Sequence, residues 1–163
     1  MHLAKAQSYN RLAVAQTDPK VLTVREAQLS DVVRIAELSG QLNYPSTPAE
    51  IEQRLRALPK DGSHAVFVAE DGAGRVVGWA HVYELHFVGS DLRAEVGGLV
   101  VDPSCRNCGV GKALMVRAEE WARERGLPAV TLRSNVIRGE AHAFYEKLGY
   151  TRFKTQHAFR KQL

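Results

Sequence analysis

The sequence predicts an α/β (α+β) domain: a mixed sheet of six to seven strands with about four helices packed on it. The length of 163 residues is that of one domain. Strand-like and helix-like apolar periods alternate in the order β-α-α-β-β-β-α-β-α-β, with no internal repeat and no second domain. An apolar share of 45% with 25% charged residues matches a packed core, not a disordered chain.

Residues 1–20 stand apart from the rest. Lys5, Arg11 and Lys20 face a single acid, Asp18, and apolar positions are scattered. LAVA at 12–15 falls short of the roughly 7–15-residue apolar core of a secretory signal. The segment therefore reads as an N-terminal extension, and the domain as residues 21–163.

The domain opens with a strand at VLTVREA (21–27). Ser30 takes the N-cap position of a helix in which Val32, Val33, Ile35, Ala36, Leu38 and Leu42 recur at helical spacing, to about Leu42. Thr47-Pro48-Ala49-Glu50 starts a second helix with a hydroxyl cap, a proline at the first position and a glutamate that reaches back. Ile51, Leu55 and Leu58 form its buried stripe, and Pro59-Lys60-Asp61-Gly62 ends it.

AVFVAED (65–71) and VVGWAHVYELHF (76–87) flank Asp71-Gly72-Ala73-Gly74, which is a hairpin signal. AEVGGLVVD (94–102) is a third strand, and Gly97-Gly98 inside it marks a bulge or a close approach by another group. Val110, Leu114, Ala118, Trp121 and Ala122 give a helix from Gly109 to Arg125, stopped by Gly126. AVTLRSN (129–135) is a strand and EAHAFYEKL (140–148) a helix closed by Gly149. YTRFKTQHAFRKQL, from Tyr150 on, holds one or two final strands.

Several function classes are argued against. No window holds 18 consecutive apolar residues, so no transmembrane helix and no membrane partner are expected. Two cysteines cannot build a disulfide framework, which fits a cytoplasmic chain. The net charge of +4 is spread over mixed signs without a Lys/Arg run, so a nucleic-acid partner is not expected, while an anionic ligand is compatible. Cys105 and Cys108 form a CxxC, but a zinc site needs further ligands and no second CxxC or HxxxH is near, so no metal is predicted. Cys108, beside Arg106 at a helix start, is a candidate reactive thiol.

The most informative stretch is VVDPSCRNCGVGKAL (100–114), a strand running into a loop and then directly into a helix. Gly109 and Gly111 let backbone amides turn toward a ligand without hindrance from a β-carbon. Unpaired N–H groups and the positive end of the new helix attract an anion, and Arg106 and Lys112 add charge. The spacing is neither GxxxxGK[ST] nor GxGxxG.

The strand ending in Val101-Asp102-Pro103, the RxxGxG loop, the helix that follows and the later FYEKLGY together resemble the GCN5-related N-acetyltransferase (GNAT) superfamily over about residues 21–160. The resemblance implies a mostly antiparallel, twisted mixed sheet splayed in its middle, and acetyl-CoA as acyl-donor cosubstrate. It implies that Arg106, Asn107, Cys108, Gly109, Val110 and Gly111 hold the pyrophosphate, beside which Lys112 adds its charge, and that backbone groups of Leu99, Val100 and Val101 hold the pantetheine arm. Ala141 and Phe144 would line the cofactor, and Tyr145 would protonate the departing thiolate, a task suited to a phenol of pKa about 10. Many relatives carry Asn seven residues before this tyrosine; here Arg138 stands there.

The attacking amine must lose a proton, directly or through water. Glu95, on the strand leading to the splay, is the first candidate base, with Glu84, His86, His81 and His142 as alternatives. Glu84 and His86 share one strand face, and His81 lies on the other with Trp79 and Tyr83. Tyr44, Glu84 and His86 are candidate acceptor-site residues. The leading expectation is an N-acetyltransferase acting on a primary amine of a small molecule. A protein or peptide amine as acceptor, and a non-catalytic acyl-CoA-binding sensor module, are the alternatives. A homodimer is a further expectation, since dimers are common in the superfamily.

Overall fold

The computed structural model describes residues 21–41 and 44–163. The expected N-terminal extension and Leu42, the expected end of the first helix, lie outside the described residues. Strand β1 (Thr23–Glu26) leads through a short 3-10 turn (Leu29–Asp31) into α1 (Val32–Gly40). Helix α2 (Pro48–Ala57) is followed by the strands β2 (His64–Glu70), β3 (Val76–Phe87) and β4 (Ser90–Val101). A second 3-10 turn (Pro103–Cys105) leads to α3 (Val110–Glu124), then β5 (Val130–Leu132) and α4 (Gly139–Lys147). The five strands lie in the order β1-β2-β3-β4-β5. Pairing is antiparallel as far as β4 and parallel between β4 and β5.

The local signals act as their chemistry requires. Thr47 N–H donates to Glu50 Oε2 at 2.7 Å and Glu50 N–H to Thr47 Oγ1 at 3.2 Å, closing the reciprocal cap at the start of α2. In the β2–β3 hairpin the Asp71 carboxylate accepts from the amides of Ala73 and Arg75 at 3.1 and 3.0 Å. Ser30 is not the cap of the first helix. It lies inside the 3-10 turn, and Asp31 stands at the N-cap of α1 while accepting from the Gln28 amide at 2.7 Å.

Alternation of side chains divides the core between the two sheet faces. On one face Phe67, Ala80, Val82, Ala94 and Val96 pack against Leu114, Met115, Ala118 and Trp121 of α3. On the other, Val68 and Val100 pack with Ile35 and Leu38 of α1 and Ile51 of α2, and Trp79 joins them. Phe67, Leu114 and Met115 are fully buried, and each such side chain contributes about 1.5–3 kcal/mol.

The sheet has five strands, not six to seven. Residues 151–163 form no strand, and Phe153, Phe159 and Leu163 among them are exposed. A strand needs a ladder partner, and β5, with three residues, presents too short an edge to nucleate one. Local chemistry also ties the segment elsewhere, since Arg152 Nε donates to Glu146 Oε1 of α4 at 2.8 Å. The strand expected at 129–135 shortens to Val130–Leu132, while the one expected at 94–102 begins earlier, at Ser90. No helix among the described residues is long and apolar enough to cross a membrane.

Candidate active site

The loop after β4 is anchored at its entrance. Asp102 Oδ1 accepts from the Ser104 amide at 2.9 Å and from its hydroxyl at 2.7 Å, and the Arg34 guanidinium of α1 pairs with the same carboxylate. These partners, the Ser104 bonds foremost, hold the Asp102 carboxyl below the usual carboxylate range. Beyond this anchor Asn107 has φ of 62° and Gly109 has φ of 84°. Asparagine tolerates the left-handed region and glycine has no side-chain penalty there. The chain then turns into α3, with Ala113 N–H donating to Gly109 O at 2.9 Å as its first helical bond.

Among the described residues, the amides of 107–112 donate to no backbone acceptor. They sit at the positive end of a 15-residue helix. Arg106 and Lys112 are exposed there and have no carboxylate partner among the described residues. Space around Gly109 is open, with nothing within 4 Å of where a β-carbon would lie. Such a run of unpaired donors and cations is a receptor for an anion.

Strands β4 and β5 pair only at Ala94–Val130, Glu95–Thr131 and Val96–Leu132. Past Val96 they part, although β4 continues to Val101. Gly97 is the extra residue of a bulge at this point, because His81 faces Gly98 while Val82 faces Val96. The β4 edge that met β5 thus runs on through Leu99, Val100 and Val101 without a strand beside it. Leu99 and Val101 pack toward the α3-side core and Val100 toward the α1-side core.

Glu95 sits at the mouth of this parting and is buried, with 5% exposure. Its Oε1 accepts from Tyr83 Oη at 3.0 Å and lies 3.0 Å from an Arg133 guanidinium nitrogen. His64, Tyr83, Glu95 and Thr131 form one cross-sheet row on four adjacent strands. This row continues the α1-side face, which is apolar at Val68, Trp79 and Val100 and becomes polar nearer the β3–β4 turn. His64 Nδ1 and His81 Nε2 are 3.0 Å apart. Burial, and secondarily the neighbouring His64, push the His81 imidazole down to about 4, so it is neutral at pH 7.

Helix α4 packs on the start of α3, with Phe144 Cζ 3.1 Å from where a β-carbon on Gly111 would lie. Tyr145 stands edge-on to Phe144 at 5.1 Å and to Tyr150 at 6.1 Å between centroids. Burial pushes its phenol up and Arg138 partly opposes this, so the hydroxyl is protonated at neutral pH. A cleft of about 1120 Å³ is lined by Glu95, Thr131, Arg133, His142, Tyr145 and Tyr150, among others. The structure therefore brings Glu95 and Tyr145 to one cavity. Ala141 is half-buried on α4, and His142 Nε2 lies 3.0 Å from Asn135 O.

Other expected residues lie elsewhere. Glu84 is bound by the Arg125 guanidinium at the end of α3 and by His86 Nε2 at 3.0 Å, on the sheet face opposite Glu95. The Arg125 bond, above all, holds the Glu84 carboxyl below its ordinary range. Tyr44 is 72% exposed, and neither it nor Glu84 nor His86 lines the cleft. Cys105 and Cys108 are free thiols, and among the described residues no group of three or more His, Cys, Asp or Glu could hold a metal ion.

Two contacts of Glu95 were not among the sequence expectations. Strand parity places Tyr83 with His81, but which β4 residue it meets depends on the register and the bulge. For Arg133 a single sequence carries no signal.

The profile of the Acetyltransferase (GNAT) family matches residues 30–150. The Bacillus subtilis (strain 168) protein named uncharacterized N-acetyltransferase YhdJ is 44% identical over 134 residues, 81% of this chain and 90% of its own. The aminoglycoside N(6')-acetyltransferase type 1 of Stenotrophomonas maltophilia is 31% identical over 132 residues, 78% of this chain and 85% of its own. The crystal structure of a Trypanosoma brucei acetyltransferase superposes with a TM-score of 0.72 at 28% identity, covering 86% of this chain and 100% of that one. The amide-lined loop, the parted strands and these likenesses converge: the chain belongs to the GNAT family of acetyltransferases, whose acyl donor is acetyl-CoA.

Proposed function

We propose that this protein is an N-acetyltransferase that passes the acetyl group of acetyl-CoA directly to the primary amine of a small molecule. The observation that carries the reading is the parting of β4 from β5 at Gly97, with unpaired amides at one end and Glu95 and Tyr145 at the other. The residues fit the donor. The amides of 107–112, with Arg106 and Lys112, would hold its pyrophosphate; the open β4 edge at Leu99, Val100 and Val101 would hold its pantetheine arm. Ala141 and Phe144 would flank it.

Acetyl-CoA supplies an activated acyl group when bound. Backbone groups near Leu99 and Val101 orient the thioester carbonyl, and Glu95 takes the proton that the amine loses as its nitrogen bonds to the acyl carbon. As the carbon–sulfur bond breaks, Tyr145 gives its phenol proton to the thiolate. The proton on Glu95 and the phenolate charge then cancel through solvent, restoring both groups. A small acceptor is supported by the 31% identical relative, whose name gives an aminoglycoside as its substrate. A homodimer is supported by the exposure of Phe153, Phe159 and Leu163 beyond the short β5 edge.

The test is thiol release from acetyl-CoA across polyamines, amino acids, aminoglycosides and short peptides, with acetyl-CoA binding followed by calorimetry on the same sample. The expected result is turnover with a small amine. Turnover with peptides alone would overturn the small-molecule reading, and absence of acetyl-CoA binding would overturn the whole of it.

A further inference from the structure

We propose that Tyr83 is a positioning residue for acetyl transfer: its hydroxyl holds one oxygen of Glu95, leaving the other to receive the amine proton. The inference rests on the reading of Glu95 as proton acceptor and assigns a function to the row of side chains beside it.

The two carboxylate oxygens of Glu95 are not equivalent. Oε1 is held from two sides, by Tyr83 Oη of β3 at 3.0 Å and by Arg133, just past the end of β5, at 3.0 Å. Oε2 takes no hydrogen bond among the described residues, and it is not a sealed, unpartnered atom. A buried carboxylate with one oxygen fixed and one open is aimed, and an aimed base avoids reorganising when the proton arrives.

Tyr83 is the rigid member of the pair that holds it. Arg133 reaches Glu95 from a side chain that is 74% exposed. The Tyr83 ring is stacked on His64 at 5.3 Å with 16° between planes, and His81 packs beside it at 5.4 Å. The two imidazoles are bonded to each other at 3.0 Å. The bulge residue supplies the space, because a β-carbon on Gly97 would lie 2.8 Å from Tyr83 Cε1. Thus the glycine where the strands part is also the glycine that admits the ring. Burial and the Glu95 carboxylate raise the Tyr83 phenol, so it stays a donor through the neutral range. The groups facing Glu95 are then Tyr83 from β3, Arg133 from the end of β5, and the neutral His81 with His64 behind the tyrosine.

Tyr83→Phe keeps the stacked ring and removes only the donor. Thiol release is measured with kanamycin as acceptor probe and, separately, with water alone. The expected result is a fall of about ten-fold in kcat, the size associated with losing a hydrogen bond to a charged group, with the acetyl-CoA KM within two-fold. In a Glu95→Gln background the same substitution should change the rate less than two-fold, because the hydroxyl acts through Glu95. Urea unfolding of the ligand-free protein supplies a readout apart from activity, in which the two substitutions should be non-additive. A wild-type rate for Tyr83→Phe while Glu95→Gln is disabled would overturn the positioning role alone, as would full additivity in both cycles. A wild-type rate for Glu95→Gln would instead remove the reading of Glu95 as base.

Discussion

The two ends of the parted strands are built from different material. At the donor end the groups are main-chain amides of residues 107–112, and the side chains of Asn107 and Cys108 there are exposed, while Val110 turns into the core. At the acceptor end the groups are side chains, Glu95, Tyr83, His81 and Tyr145, held by rings, an arginine and cross-strand register. A backbone site depends on φ and on the helix that follows it, so many side chains are compatible with it. A side-chain site fails with one atom. Substitutions at the acceptor end should therefore affect the chemical step, and those at the donor end the binding of acetyl-CoA.

The largest effect is expected at Tyr145. Tyr145→Phe keeps the packing against Phe144 and Tyr150 and removes the proton donor. We expect kcat to fall about 100-fold, the lower range for a general acid, with acetyl-CoA affinity by calorimetry within two-fold. Loss of binding with kcat intact would reverse the division between the two ends.

The acceptor end should also be the acid-sensitive one. His81 titrates near 6.5 in the unfolded chain and at about 4 when folded, chiefly through burial. Between those values the unfolded state binds more protons, so stability rises with pH across the window and is lost as pH falls from 6.5 toward 4. The contribution at stake is about 3 kcal/mol. Urea midpoints at pH 6.5 and 4.5 should drop clearly in the native sequence and much less in His81→Phe. Equal slopes in the two proteins would remove His81 as the cause.

This division also explains what could be read from the sequence. The donor end was legible because its requirements are local: Gly109 carries a positive φ, Gly111 lies under Phe144, and RxxGxG falls between a strand and a helix. The reciprocal cap at Thr47 and the Asp71 hairpin were legible for the same reason. Glu95 was placed on the correct strand, but its partners come from 12 residues away on β3 and from beyond β5, through a register that includes the Gly97 bulge. No period in the sequence encodes that register. One or two final strands are expected from Tyr150 on, but a strand needs a long enough neighbouring edge, and residues 151–163 form none.

A smaller effect should separate backbone from side chain at the donor end. Gly109→Ala adds one methyl group where space is open, so its cost comes from φ of 84° and not from a clash. The left-handed region costs a residue with a β-carbon roughly 1–2 kcal/mol. The acetyl-CoA KM should rise about ten-fold while kcat at saturation stays within two-fold. A fall in kcat with unchanged KM would mean that the loop takes part in the chemical step and would undo the contrast between the ends.

The smallest effect belongs to Cys108, and it tests the same idea from the other side. Its thiol is exposed and makes only a weak 3.6 Å contact with the Arg106 carbonyl, while its amide belongs to the unpaired run. If the main chain does the holding, Cys108→Ala leaves every donor in place, and the acetyl-CoA KM should stay within two-fold of the native value. Peroxide should then weaken acetyl-CoA binding in the native protein, by adding oxygen atoms beside the amides, and leave Cys108→Ala unaffected. A five-fold or greater rise in KM for the untreated variant would show that the thiol contributes a contact of its own. In that case the donor end, too, would depend on side chains.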